Sequence, residues 1–355
     1  MRKVIIRSGL ETLYFTGMHR WLGGACGGAG VILTMHHVRP PANDPFQSGR
    51  ELEIAPAFLE ATVGLLRRHR LEPVSLDEMA ERLKRGSSRA RFVCLTFDDG
   101  YRDNLEWAYP ILKRHRIPFA IYLTSGVPDR QPCLWWRTVD RAVAAAPEIE
   151  IAVGGAPRRL TCRSAAEKRA TVAEVHRLLR ALPDEAQLRA VVADLAARAG
   201  VDACAPTREL GLTWDELRIL AADPLVTIGA HTVSHPFLSK LPVHEARREM
   251  ESGAARIKDM LGTAPAHFSY PYGDAGAAGP RDFALARDAG FATAVTTRPG
   301  VLFPEHRSHL WALPRISLNG EMQRLRYLDV LVSGAGTAVF NGFRRVNVAS
   351  PAAAG

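Results

Sequence analysis

The feature that most constrains this chain is a rhythm. Short apolar runs at 31–35, 92–97, 119–123, 226–229, 267–270 and 291–295 are separated by longer stretches, several with helical periodicity. The runs are short, predominantly apolar and rich in β-branched and aromatic residues, as buried strands are. Helical patterns stand around 103–116 and at 213–222, 242–261 and 279–289, and Thr213-Trp214-Asp215-Glu216 opens one of them as a capping box. Buried strands alternating with helices build a parallel α/β sheet. No Gly-rich nucleotide loop follows any run, which favours a closed, distorted (β/α) barrel over an open sheet.

The rhythm breaks at 128–212. That segment reads as a helix at 135–146, a hairpin at 149–162 around Gly154-Gly155, and two Ala/Leu/Arg-rich helices at 164–181 and 184–199. We therefore expect a barrel of 31–127 and 213–320, with 128–212 as an insertion covering one end. Residues 1–30 read as an amphipathic helix (2–22) with a Gly-rich linker, and 321–355 as an extension with a disordered tail after Ser350.

The opening Met1-Arg2-Lys3-Val4-Ile5-Ile6 starts like a signal peptide, but Arg7 and Glu11 interrupt it, and the uncharged stretch 21–35 is too short and too Gly-rich to span a bilayer. The expectation is a cytoplasmic protein, with weak membrane-surface association through 2–22 as an open alternative. A net charge of +9 suits anionic partners, but much of the Arg lies beside Glu and Asp in helical stretches, as in Glu245-Ala246-Arg247-Arg248-Glu249. That pattern is a solvated helix face, so no nucleic-acid partner is expected. The five cysteines are scattered without a CxxC pair, which argues against a cysteine zinc site and suits a reducing compartment.

Two motifs carry chemistry. Thr96-Phe97-Asp98-Asp99-Gly100-Tyr101 places adjacent carboxylates at the end of an apolar strand, and strand C-termini face the active site of a barrel. Adjacent side chains there diverge, so one can bind a metal while the other faces substrate. By itself the pair could equally cap the next helix through an Asx-turn. His231-Thr232-Val233-Ser234-His235 follows another strand, with two imidazoles at i, i+4. Two histidines and one carboxylate make a three-ligand set with an open position for water.

Together these motifs resemble the polysaccharide deacetylases, the NodB-homology or carbohydrate esterase family 4 proteins, over about 31–318 apart from the insertion. Ser269-Tyr270-Pro271-Tyr272-Gly273 is similar to the family's third motif. The resemblance implies a distorted (β/α) barrel, an N-acetylated saccharide substrate and a divalent metal, zinc first. It implies Asp98 as general base, Asp99, His231 and His235 as metal ligands, the Tyr101 N–H as oxyanion donor, and Tyr272 in the substrate groove.

The chain departs from the family pattern twice. The late Leu-x-His that supplies the general acid reads Leu313-Pro314-Arg315-Ile316-Ser317 here; His309 stands four residues before Leu313, out of register. The segment 31–38, with His36-His37, resembles the opening strand of permuted members, so His36 is the expected acid and His37 the lesser candidate. The third motif carries Ser269 in place of the usual arginine, and Arg315 is the candidate replacement from a neighbouring strand. Trp135 and Trp136 offer indole faces to sugar rings, or anchor the insertion as core. The competing functions are hydrolysis of another small amide or imide, and an inactive glycan-binding module.

Overall fold

The computed structural model describes residues 2–46, 48–86, 90–155 and 157–348. The tail after Ser350 lies outside them. Seven parallel strands form the barrel: β1 (Gly30–Met35), β2 (Phe92–Asp99), β3 (Phe119–Leu123), β4 (Val226–Ala230), β5 (His267–Ser269), β6 (Thr293–Pro299) and β7 (Leu313–Ser317). Their order is β1-β7-β6-β5-β4-β3-β2, closed by pairing of β1 with β2 from Gly30↔Phe92 to Met35↔Phe97. The α/β barrel expected from the sequence is what the chain forms, because strands buried on both faces need helices outside and a filled interior within. β1, β2 and β3 are buried at every position. Closure is distorted on the far side, where the β6–β7 register shifts between Val295 and Pro299.

The capping box at Thr213 is present, with Glu216 N–H donating to Thr213 Oγ1 and the Glu216 carboxylate accepting from Thr213 N–H. Between β3 and β4 the chain builds the helix Trp135–Ala145, a hairpin of Glu148–Ile151 with Arg158–Thr161, and the helices Ala165–Ala181 and Glu185–Arg198. Their apolar faces share a core that includes Trp135, Val139, Val175 and Leu188 and reaches Tyr101 and Phe237. The layer therefore lies over the strand C-termini, where Tyr101 follows β2 and Phe237 follows β4.

The N-terminal segment differs from expectation. The single helix at 2–22 is two, Arg2–Phe15 and Met18–Cys26, broken at Gly17, whose φ of 71° a helix cannot continue through. Much of the expected Gly-rich linker is thus helical. Tertiary packing offsets the weak glycine propensity there, since this second helix lies against the C-terminal segment, where a Cβ on Gly23 would meet Ser333 Cβ at 3.6 Å. Both helices pack against Leu325–Val332 or Ala335–Phe340. Among the described residues no helix is long and apolar enough to cross a membrane.

Candidate active site

The two adjacent carboxylates end β2 and part company there. Asp99 has a φ of 75° and Gly100 one of 88°, so the backbone turns sharply and the two side chains diverge. A left-handed non-glycine residue costs roughly 1–3 kcal/mol and persists only where its surroundings hold it. Thr232 (φ 65°), His235 (φ 58°) and Tyr272 (φ 60°) share that conformation, so four strained residues converge on one mouth.

Asp99 Oδ1 stands 3.4 Å from His231 Nε2 and 3.3 Å from His235 Nε2. All three residues are buried, and Asp99 Oδ1 accepts no hydrogen bond. Tetrahedral ligation with bonds of about 2.0–2.1 Å places ligand atoms about 3.3–3.4 Å apart, which both Asp99 distances match, and the three ligand atoms all lie within 4.8 Å of one another. His231 Nδ1 lies 2.7 Å from the Ser269 carbonyl oxygen, which can only accept. Nδ1 therefore carries the proton and Nε2 turns its lone pair to the centre. Burial lowers the pKa of His235, keeping its imidazole neutral, as a ligand must be.

Asp98 turns to the barrel interior. Arg315 Nη1 and Nη2 donate to its two oxygens at 2.8 and 2.7 Å, and Arg315 is itself fully buried. The guanidinium also donates to the Thr296 carbonyl, Thr96 Oγ1 and Ser269 Oγ. Burial raises the Asp98 pKa and Arg315 overrides it, so the carboxyl lies below its ordinary value. Ser269, at the position of the family's usual arginine, thus hands a hydrogen-bonding place to Arg315 of β7.

The β1–β2 register ends at Met35↔Phe97, so His36 leaves the barrel level with Asp98. Asn104 Nδ2 fixes its carbonyl at 2.7 Å, and its half-buried side chain lines the same cavity as Asp98, Asp99, His231 and His235. His37 turns the other way and is fully buried. Arg137 Nη2 donates to His37 Nε2 at 2.9 Å, so His37 Nδ1–H donates to Asp103 at 2.6 Å. Burial lowers the His37 pKa and pushes the Asp103 carboxyl up to about 7. His309 lies just before β7, at the opposite end of the barrel from the carboxylates.

The cavity holds about 880 Å³ and is walled in part by Trp135, Trp136 and Tyr272. Both indoles are mostly buried and donate to tyrosines, Trp135 to Tyr272 Oη at 2.6 Å and Trp136 to Tyr101 Oη at 3.2 Å. They belong to the core that anchors the insertion and also line the cavity. Tyr272 stacks on Phe237 with ring centroids 3.6 Å apart. Around Tyr101 the ladder bonds are made by its neighbours, Arg102 N–H to Leu210 and Leu212 N–H to Gly100, leaving the Tyr101 N–H out of the bridge.

Several supporting residues carry no sequence signal of their own. Glu249 accepts from Val233 N–H, Ser234 N–H and Ser234 Oγ, and Arg189 donates to the Ser234 carbonyl at 2.6 Å, so both brace the histidine loop. Arg137 and Asp103 hold His37 behind His36. Asp103, the third carboxylate in six residues, could have been singled out by that density.

A family model described as polysaccharide deacetylase matches residues 85–156 and 163–294, more than half of the chain and most of the segment read as an insertion. Comparison with curated proteins finds no match by sequence. Among solved structures, the chain is similar to the deacetylase PplD of Streptococcus pyogenes in complex with acetate, at 16% identity and a TM-score of 0.55, covering 85% of this chain and 97% of that one. It is also similar to IcaB of Ammonifex degensii, at 18% identity and a TM-score of 0.54, covering 87% and 97%. The deacetylase domain of BpsB from Bordetella bronchiseptica is 17% identical, with a TM-score of 0.50 over 82% and 96%. These likenesses agree on the fold, and by the extent of the family match the chain belongs to the polysaccharide deacetylase family, hydrolases of amide bonds on carbohydrates.

Proposed function

We propose that this protein removes the acetyl group from an N-acetylated amino sugar of a glycan or glycan precursor, with a divalent metal, zinc first, held by Asp99, His231 and His235. The observation that carries this is the unsatisfied Asp99 Oδ1 facing two imidazole nitrogens at ligand spacing, beside a second carboxylate held apart by Arg315. A bound ion would supply Lewis-acid polarisation of the acetyl carbonyl and acidify the attacking water.

The chain's own residues do the rest. Asp98, kept ionised by Arg315, takes the proton of the attacking water. Tyr101 N–H donates to the oxyanion as the carbonyl becomes tetrahedral. An amide nitrogen leaves only when protonated, and His36 delivers that proton. Trp135, Trp136 and Tyr272 line the cavity where the apolar C–H faces of the sugar would pack.

The test is acetate release from N-acetylglucosamine oligomers and from lipid-linked N-acetylated sugars, before and after chelation and zinc return. Activity should follow bound metal, and Asp98→Asn should keep the metal while lowering turnover by about 10²-fold or more. A metal-loaded protein that releases no acetate from any of these, or an Asp98→Asn variant with native turnover, overturns the reading.

A further inference from the structure

The outer side of the N-terminal helix pair inverts the usual pattern of a surface helix. In Arg2–Phe15 the ionic partners face the body: Arg7 donates to the backbone and carboxylate of Glu321, and Glu11 accepts from Arg324, Arg326 and Tyr327. Every exposed position within 4–16 is apolar or neutral. A helix facing only water would carry its charges there. In Met18–Cys26, Met18 and Trp21 are exposed, Trp21 at 89%. The C-terminal helix Ala335–Phe340 packs against both, and Val339, Phe340 and Phe343 are exposed with it. Eight of the eleven exposed large hydrophobics among the described residues thus belong to this triad and its flank, a clustering that marks an interaction site.

We propose that this helical triad is a docking surface for an anionic lipid bilayer. The charge pattern selects that occupant. The acids Glu11 and Glu321 are engaged with arginines, while Arg20 and Arg344 are exposed beside the apolar residues. Apolar anchors with a basic margin and an exposed tryptophan suit the headgroup–acyl boundary, where such a helix lies in the plane of the surface. Since no described helix can cross a bilayer, the chain lies on it.

The position of the surface adds a consequence that rests on the deacetylase reading. Glu51 and Glu321 line both the catalytic cavity and a second cavity of about 420 Å³ bounded by Arg7 and Tyr327. The inner side of the docking helix therefore borders a cavity that adjoins the catalytic one, which would place a lipid-anchored glycan held at the docked surface next to the site.

Vesicle sedimentation of the full chain reads docking without catalysis, so its failure is distinct from failure of the deacetylase reading. The protein should pellet with phosphatidylglycerol–phosphatidylcholine vesicles and more weakly with phosphatidylcholine alone. The triple variant Phe15→Ser, Trp21→Ser, Phe343→Ser should bind about tenfold or more weakly, with its thermal midpoint unchanged. The proposal is overturned if the wild type stays in the supernatant with the anionic vesicles, or if the variant binds equally well. It is also overturned if sedimentation equilibrium shows a dimer that Trp21→Ser dissolves, since a second copy would then own the face.

Discussion

Arg315 makes Asp98 a different kind of carboxylate from Asp99, although one peptide bond joins them. Asp98 is locked by a two-pronged guanidinium in the barrel interior, while Asp99 keeps an oxygen that nothing satisfies. Replacing Arg315 with Met would leave a buried, unpaired carboxylate, and breaking a buried pair on one side costs about 3–5 kcal/mol. Arg315→Lys keeps a charge but loses the fork. We expect urea midpoints in the order wild type, Lys, Met, and turnover to fall in both variants with KM little changed, since Arg315 positions Asp98 without touching substrate. An Arg315→Met protein of native stability would remove the pair from the account. At this scale the sequence was legible where chemistry is local. Asp-Asp-Gly and His-x-x-x-His declare themselves by residue type and spacing. Arg315, 217 residues from Asp98, could be named only as a candidate, because strand order decides what it meets. The preference for His36 over His37 comes from the resemblance alone; the structure lines the cavity with His36 and buries His37 against Arg137 and Asp103.

The elements that carry the ligands are steadied by one that brings none. The helix Glu185–Arg198 of the insertion reaches the histidine loop through Arg189, and its Glu185 accepts from Phe237 N–H just beyond that loop. Groups that orient ligands are worth about 10–100-fold in metal affinity. Arg189→Ala should therefore weaken zinc binding by that order in a chelator competition, while the far-UV dichroism stays native. Unchanged affinity would make the insertion a cover and no more. The sequence showed the helices here through their Ala/Leu/Arg periodicity, but not that they support the site, because neither Arg189 nor Glu249 belongs to a motif. The break at Gly17 was missed for a related reason. A glycine inside an apolar, helix-like pattern reads as tolerated, and only the packing of both helices on the C-terminal segment shows that the chain turns there.

Across the whole molecule, the site is a joint between strands. β3 lies between β2, which ends in Asp99, and β4, which leads into His231 and His235, so an ion held by the three would clamp two strand ends across a third. The alternation of buried strands and helices was the most legible part of the sequence, because predominantly apolar strands leave no exposed face, while closure is shown by the pairing of β1 with β2. Such a clamp couples metal binding to global stability. The unfolded chain has no preformed site, so bound metal stabilises by RT ln(1 + [L]/Kd), about 4 kcal/mol at a free concentration a thousand times Kd. The increment should appear as a raised urea midpoint on zinc addition and vanish with chelator. Asp99→Asn is the informative control. Asn tolerates the left-handed backbone at φ 75°, so the turn is kept while the anionic ligand is lost. The variant should fold to near the metal-free stability of the wild type and gain little from zinc. If zinc raises both proteins equally, the ion binds elsewhere and the clamp does not exist.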